Sequence, residues 1–260
     1  MMDDDICYQM WHGHRHALIR AQEFYVREAK ARLLTRFENI EAEADEAAER
    51  ALKDNSHWFD PDRHDPGDFY ELASEVGQEF YDLLTKMRDD TRLSIISGFF
   101  HQWEKSLRQW LADESRKWHR DENLSIAIWK VKFDDLVELL ESWGWALRSE
   151  QWFSDLNACR MIVNVYKHGD GPSLDALARN YPQYLPNPLS SFGGQDFVAN
   201  NNPTHEDLRV DDQDLDKFSG AIVEFWRAVP ENVAFGEVKL SPPAWFAKAY
   251  SKSTKAGATS

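Results

Sequence analysis

From Asn157 to Gly171 the chain reads Asn-Ala-Cys-Arg-Met-Ile-Val-Asn-Val-Tyr-Lys-His-Gly-Asp-Gly, and its polar residues are of types that move protons and stabilise negative charge. At 100° per residue, Asn157, Asn164 and His168 fall within about 20° of one line along a helix, with Arg160 and Lys167 flanking them on one side. Cys159, Ile162, Val163 and Tyr166 share the opposite face. Gly169 is predicted to supply the left-handed residue that ends this helix, so Lys167 and His168 occupy its last turn beside carbonyls that have no helical partner. The negative end of the helix dipole favours cationic groups there. No acidic residue lies between Leu156 and His168, although the chain as a whole carries a formal net charge of −15. An imidazole, two cations and two amides on one helix face suit acid–base chemistry in which negative charge develops.

A terminal helix turn with Asn164, Lys167 and His168 followed by Gly169, and with Arg160 upstream on the same face, resembles the HEPN superfamily. That resemblance implies an all-helical domain and, for many members, metal-independent RNA cleavage in toxin and antiphage systems. The family motif places an Arg directly before a polar residue and a few residues before a His. Here Val163 precedes Asn164, and seven residues separate Arg160 from His168. On this reading His168 is the acid or base, Arg160 and Lys167 stabilise the phosphorane, and Asn164 orients His168 or a phosphate oxygen. Asn157 lies on the same face, and Glu104 is a candidate supporting carboxylate, against its plainer reading as a surface pair with Arg108 one turn on. The resemblance further implies a homodimer whose two sites face each other, and no cofactor or metal. A noncatalytic module that binds a partner protein or antitoxin is the alternative, as is a plain polar helix end.

The elements that must position this face are helical. From His12 to Lys53 there is no Pro and only Gly13, and Leu18, Tyr25, Ala29, Leu33, Phe37, Ile40 and Ala44 follow helical steps. Within an N-terminal unit over residues 1–53, a single amphipathic helix from about Ala17 to Lys53 would run roughly 50 to 60 Å, so it either breaks near Asn39 or projects toward a partner. Its Ala-rich, acidic end, Glu41 to Ala51, is expected to meet a second protomer. Trp11-His12-Gly13-His14-Arg15-His16 splays its imidazoles on a helix and reads as a polar helix start rather than a metal site.

A loop at Asn55–Gly67 precedes a helix through Leu72, Val76, Phe80 and Met87, and the polar patch Arg88–Arg92 separates it from a central helix through Ile95, Phe99, Trp103 and Leu111. Another helix spans Leu124–Leu147, then the Asn157–His168 helix follows. The predicted architecture is all-α, an antiparallel bundle over residues 68–228 with a long irregular loop at 169–211, whose residues 172–203 are placed to cover His168. Residues 229–260 form an extension whose last ten residues are expected to be disordered. Trp103, Trp110, Trp129 and Trp143 fall on apolar stripes and are predicted to be core.

A chain of 260 residues with 42% hydrophobic content, eleven Trp and fifteen Phe can build several packed helix interfaces. The negative balance excludes a protein that coats nucleic acid nonspecifically, yet Arg15, Arg20, Arg27, Lys30, Arg32 and Arg36 leave room for a local basic surface. Cys7 and Cys159 make no disulfide framework, and the sequence shows neither a signal peptide nor a membrane span, so a cytoplasmic protein is expected. Gly-Lys-Ser/Thr, Gly-x-Ser-x-Gly and Cys-x-x-Cys motifs are absent from the sequence.

Overall fold

Pro66 stands at the first turn of the longest helix, α3, where its missing N–H costs nothing, and Asp65 caps that end by accepting the Gly67 amide at 2.8 Å. The computed structural model describes residues 4–60, 62–119, 122–187, 202–240 and 242–256, with the side chains of 238–240 and 252–256 set aside. Helix α3 runs Pro66–Trp118 without interruption, 53 residues or about 80 Å at 1.5 Å each. The expected break at Arg88–Arg92 does not occur. Arg92 instead donates to Asp89 at 2.9 Å and to Asp212 of another helix at 2.7 Å, so the polar patch is an ion-pair junction on a continuous helix.

The predicted N-terminal helix is two helices. Helix α1 spans His12–Leu33, a 3-10 turn takes Leu34–Phe37, and α2 spans Ile40–Asn55. The break falls at Asn39, the alternative that the length argument allowed. Helix α2 folds back on the first half of α3, and the close contact uses small residues: a Cβ on Gly77 would stand 3.0 Å from the Ala48 Cβ and 3.2 Å from the Ala44 carbonyl oxygen. The Ala-rich stripe therefore packs on this chain's own α3, which corrects the expectation of a second protomer there. Within Pro66–Arg92 only Ala73 and Gly77 of α3 are buried. This half of α3 and α2 form a two-helix arm, while the half beyond Leu93 carries the core.

That core is built by α4 (Asn123–Lys130), α5 (Phe133–Glu141), α6 (Gln151–His168), α7 (Pro172–Asn180) and α8 (Asp212–Ala228) around the second half of α3. The single predicted helix over Leu124–Leu147 is split where the Lys132 backbone amide donates to the Asp135 carboxylate at 2.9 Å and α5 starts. Trp103, Trp110 and Trp143 are buried, but Trp129 is half-exposed and is not core. Trp103 packs edge-on to Phe225 of α8 at 5.1 Å. Helix α1 lies on α8, where Arg15 donates to the Arg227 and Val229 carbonyls at its end, at 2.6 and 2.8 Å.

A short sheet escaped the periodicity. Strand β1 (Ile6–Gln9) pairs antiparallel with β2 (Asn232–Ala234). Helices α9 (Phe235–Leu240) and α10 (Ala244–Ala256) follow, so the segment expected to be disordered from Ser251 is helical to Ala256, and residues 257–260 lie outside the described residues. The loop predicted at 169–211 is also shorter than expected, since α7 and a 3-10 turn at Pro182–Tyr184 occupy it. Residues 188–201, part of the segment 172–203 expected to cover His168, lie outside the described residues. Among the described residues no helix is long and apolar enough to cross a membrane.

Candidate functional site at the end of helix α6

Helix α6 buries Cys159, Ile162, Val163 and Val165 against α3 and α8 and turns its polar face outward. On its upper half Arg160 donates to the Asn157 Oδ1 through Nε at 3.3 Å and Nη2 at 3.0 Å, and to Asp134 of α5 through Nη1 at 3.1 Å. Its guanidinium also lies 5.3 Å from the Phe133 ring centroid. Asn157 in turn donates to the Tyr181 hydroxyl at 3.2 Å. The acid-free stretch of sequence thus receives a carboxylate from a neighbouring helix, and Arg160 ties α5 to α6 while Asn157 ties α6 to the turn after α7.

The lower half is open. Asn164 is half-buried, and Lys167 and His168 are exposed on the last turn. Neither Asn164 nor His168 makes a side-chain hydrogen bond among the described residues. Arg160 and His168 are eight positions apart, about 12 Å of helix. One chain does not bring these two together.

What the fold does bring to this end is a second imidazole. Gly169 stops α6 at φ 71° and ψ −145°, a positive φ that a side chain would strain, though with an extended ψ rather than the predicted left-handed helical one. The His205 ring lies over it, 3.8 Å from where a Cβ would stand. Asp170 accepts the His205 backbone amide at 2.8 Å and faces its Nδ1 at 2.9 Å. These contacts, the backbone one foremost, hold the Asp170 carboxyl below its ordinary range. A carboxylate only accepts, so Nδ1 is the donor to Asp170, and in the neutral imidazole Nε2 is the nitrogen without a proton. The Thr204–Asp207 capping box fixes this turn, with the Thr204 amide donating to Asp207 at 2.8 Å.

His101 of α3 stands near Lys167. Burial foremost pushes its pKa down; Lys167 and Lys105 add to that and Glu104 opposes them. Glu104 itself is bound to Arg108, accepting from Nε at 3.1 Å and Nη2 at 2.6 Å, while Arg108 Nη1 donates to the Ile128 and Val131 carbonyls at 2.6 and 3.0 Å. The Arg108 side chain is 9% exposed, so this is a partly buried ion pair that closes the end of α4 rather than the surface pair expected. Glu104 serves that junction.

Comparison with protein-family models, with curated proteins and with solved structures finds no match to this chain. The resemblance to HEPN domains rests on the α6 residues alone.

Asp134, Tyr181, Asp170, His205 and His101 were not legible as site residues. The only sequence signal was negative: Asp170 follows His168 and Gly169 directly, but its partner lies 35 positions away in a Pro- and Asn-rich stretch.

Proposed function

We propose that this chain is a metal-independent endoribonuclease of HEPN-like organisation. The observation that carries the reading is that the exposed Lys167 and His168 end α6 two residues before Asp170, whose carboxylate holds His205. Cleavage of RNA by its own 2′-oxygen needs one group to take the 2′-hydroxyl proton and another to give a proton to the departing 5′-oxygen. His168 and His205 supply the two imidazoles, Asp170 holds His205 in the tautomer with Nε2 free, and Lys167 stabilises charge on the phosphorane. The phosphorus–2′-oxygen bond forms as the phosphorus–5′-oxygen bond breaks, giving a cyclic phosphate and a free 5′-hydroxyl. In this reading Asn164 positions a phosphate oxygen. Arg160 reaches that site only from a second copy, so a homodimer is part of the reading, and a toxin or antiphage role in the cytoplasm is its biological form.

A second reading, a noncatalytic subunit that binds an antitoxin or other partner protein, is favoured by one observation: the Arg160 guanidinium is already engaged by Asp134 and Asn157.

The test is cleavage of a mixed RNA pool in EDTA by wild type, His168→Ala and His205→Ala. Cleavage that survives the chelator and falls by about 100-fold or more in each variant is the expected result. Wild-type cleavage no greater than that of His168→Ala, from folded protein, overturns the nuclease reading in favour of the second.

A further inference from the structure

The arm formed by α2 and the first half of α3 leaves an apolar seam uncovered. Leu72, Val76, Leu83 and Met87 of α3 are 44, 36, 59 and 58% exposed, and their spacing of four, seven and four residues puts them on one stripe, to one side of the face that Ala73 and Gly77 press against α2. The stripe ends in an open depression of about 430 Å³, where Leu83 and Met87 meet Tyr25 and Leu33 of α1, with Lys86 and Asp90, paired at 3.4 Å, at its rim. Large apolar side chains aligned over four helical turns are a docking feature rather than scattered surface residues.

The charge around the seam selects the occupant. Between Ile40 and Asp90 there are sixteen Asp or Glu and five Lys or Arg, so this span holds −11 of the chain's −15. Glu79 and Asp90 fall within about 50° of the stripe on α3. A second arm laid on the first would set like charge against like charge, and an anionic membrane would be repelled in the same way. A helix with apolar residues at i, i+4 and i+7 and Lys or Arg on its flanks complements both the stripe and its border.

We propose that the arm binds a cationic amphipathic helix of a separate protein, with Leu83 and Met87 as the apolar anchors and the α1–α3 depression as the end stop. The proposal holds whether or not the α6 end cleaves RNA.

The experiment uses the full chain and two synthetic peptides of one Lys/Leu composition, one with heptad-spaced Leu and one scrambled, read by fluorescence anisotropy at 150 mM salt. The expected result is that the heptad peptide binds at least about tenfold tighter than the scrambled one, and that Leu83→Ser/Met87→Ser, with unchanged far-UV circular dichroism, loses that difference. Equal affinity for the two peptides would reduce the arm to a nonspecific acidic surface and overturn the proposal. Light scattering that shows a wild-type dimer made monomeric by Leu83→Ser/Met87→Ser would overturn it too, by assigning the seam to a second copy.

Discussion

Asp170 receives both the backbone amide and the Nδ1 of His205, at 2.8 and 2.9 Å, directly after the glycine that ends α6. The pairing joins the end of α6 to a segment 35 residues further on. Asp170→Ala is therefore expected to lower RNA cleavage through His205 while leaving Lys167 and His168 in place. Because the folded-state pKa of Asp170 is depressed, its stabilising contribution is present above the ordinary Asp value of about 3.9 and is lost as pH falls through the lower folded value. The melting temperatures of wild type and Asp170→Ala should differ at pH 7 and converge in the most acidic buffer that keeps both folded. A constant difference down that series would show that the pair does not form.

Arg108 ties α3 to the end of α4. Arg108→Ala removes the donor to two carbonyls at the end of α4 and strands Glu104, and is expected to cost no more than about 3 kcal/mol, the lower end of the range for breaking a fully buried pair, since Glu104 keeps some solvent. Glu104→Gln keeps one acceptor for the guanidinium and should cost distinctly less. Urea denaturation of both variants checks the order; equal losses would mean that the carbonyl contacts carry little.

Arg160 sits on the Phe133 ring with a half-covered ion pair to Asp134, whose carboxylate is largely solvated. Its replacement by Ala should cost about 1 kcal/mol after allowing for solvent screening, against no measurable loss for His168→Ala on the same helix. A stability change in His168→Ala as large as that in Arg160→Ala would place His168 in the scaffold and weaken the nuclease reading.

Gly77→Leu tests the arm. The added side chain meets Ala48 and the Ala44 carbonyl, neither of which is a flexible tip, so α2 must lift from α3 at a cost of about 1 to 3 kcal/mol. The loss should be local: limited proteolysis ought to cut α2 early while the core tryptophans keep their fluorescence. Simultaneous loss of both signals would show that arm and core unfold as one unit.

Cys7 and Cys159 are buried free thiols, the first pushed up to about 12 and the second well above its ordinary value, both by burial. Neither is expected to react with a thiol reagent at pH 8 until denaturant is added. Modification of either in the native state would mean that β1 or α6 opens readily.

Local pattern made the helical core legible. The apolar stripe from Ile95 to Leu111 and the buried side of α6 follow from 3.6-residue spacing because each helix satisfies its own backbone. Pairings between distant segments were not legible in that way. β1 finds β2 more than 220 residues later, and nothing in either short strand specifies the other. His205 reads as one polar residue in an irregular stretch until the fold sets it on Gly169. The run Arg88–Arg92 looked like a break because exposed polar residues and ion-paired ones have the same composition; only Asp212, across the fold, distinguishes them. The α2 alanines illustrate the converse: their small size signalled a close contact, but composition does not say with which chain.

Since α3 is a single rod shared by core and arm, it behaves as a lever with unequal loads. Where arm meets core, the Ser94 hydroxyl is 2.8 Å from that of Tyr166, two residues before His168. From Ser94 to Pro66 the rod is about 42 Å long, so a tilt of about 5° at the core sweeps the arm tip through about 4 Å. A helix docked along the seam and anchored at Leu83 and Met87 would therefore be displaced most at its Leu72 end by such a tilt.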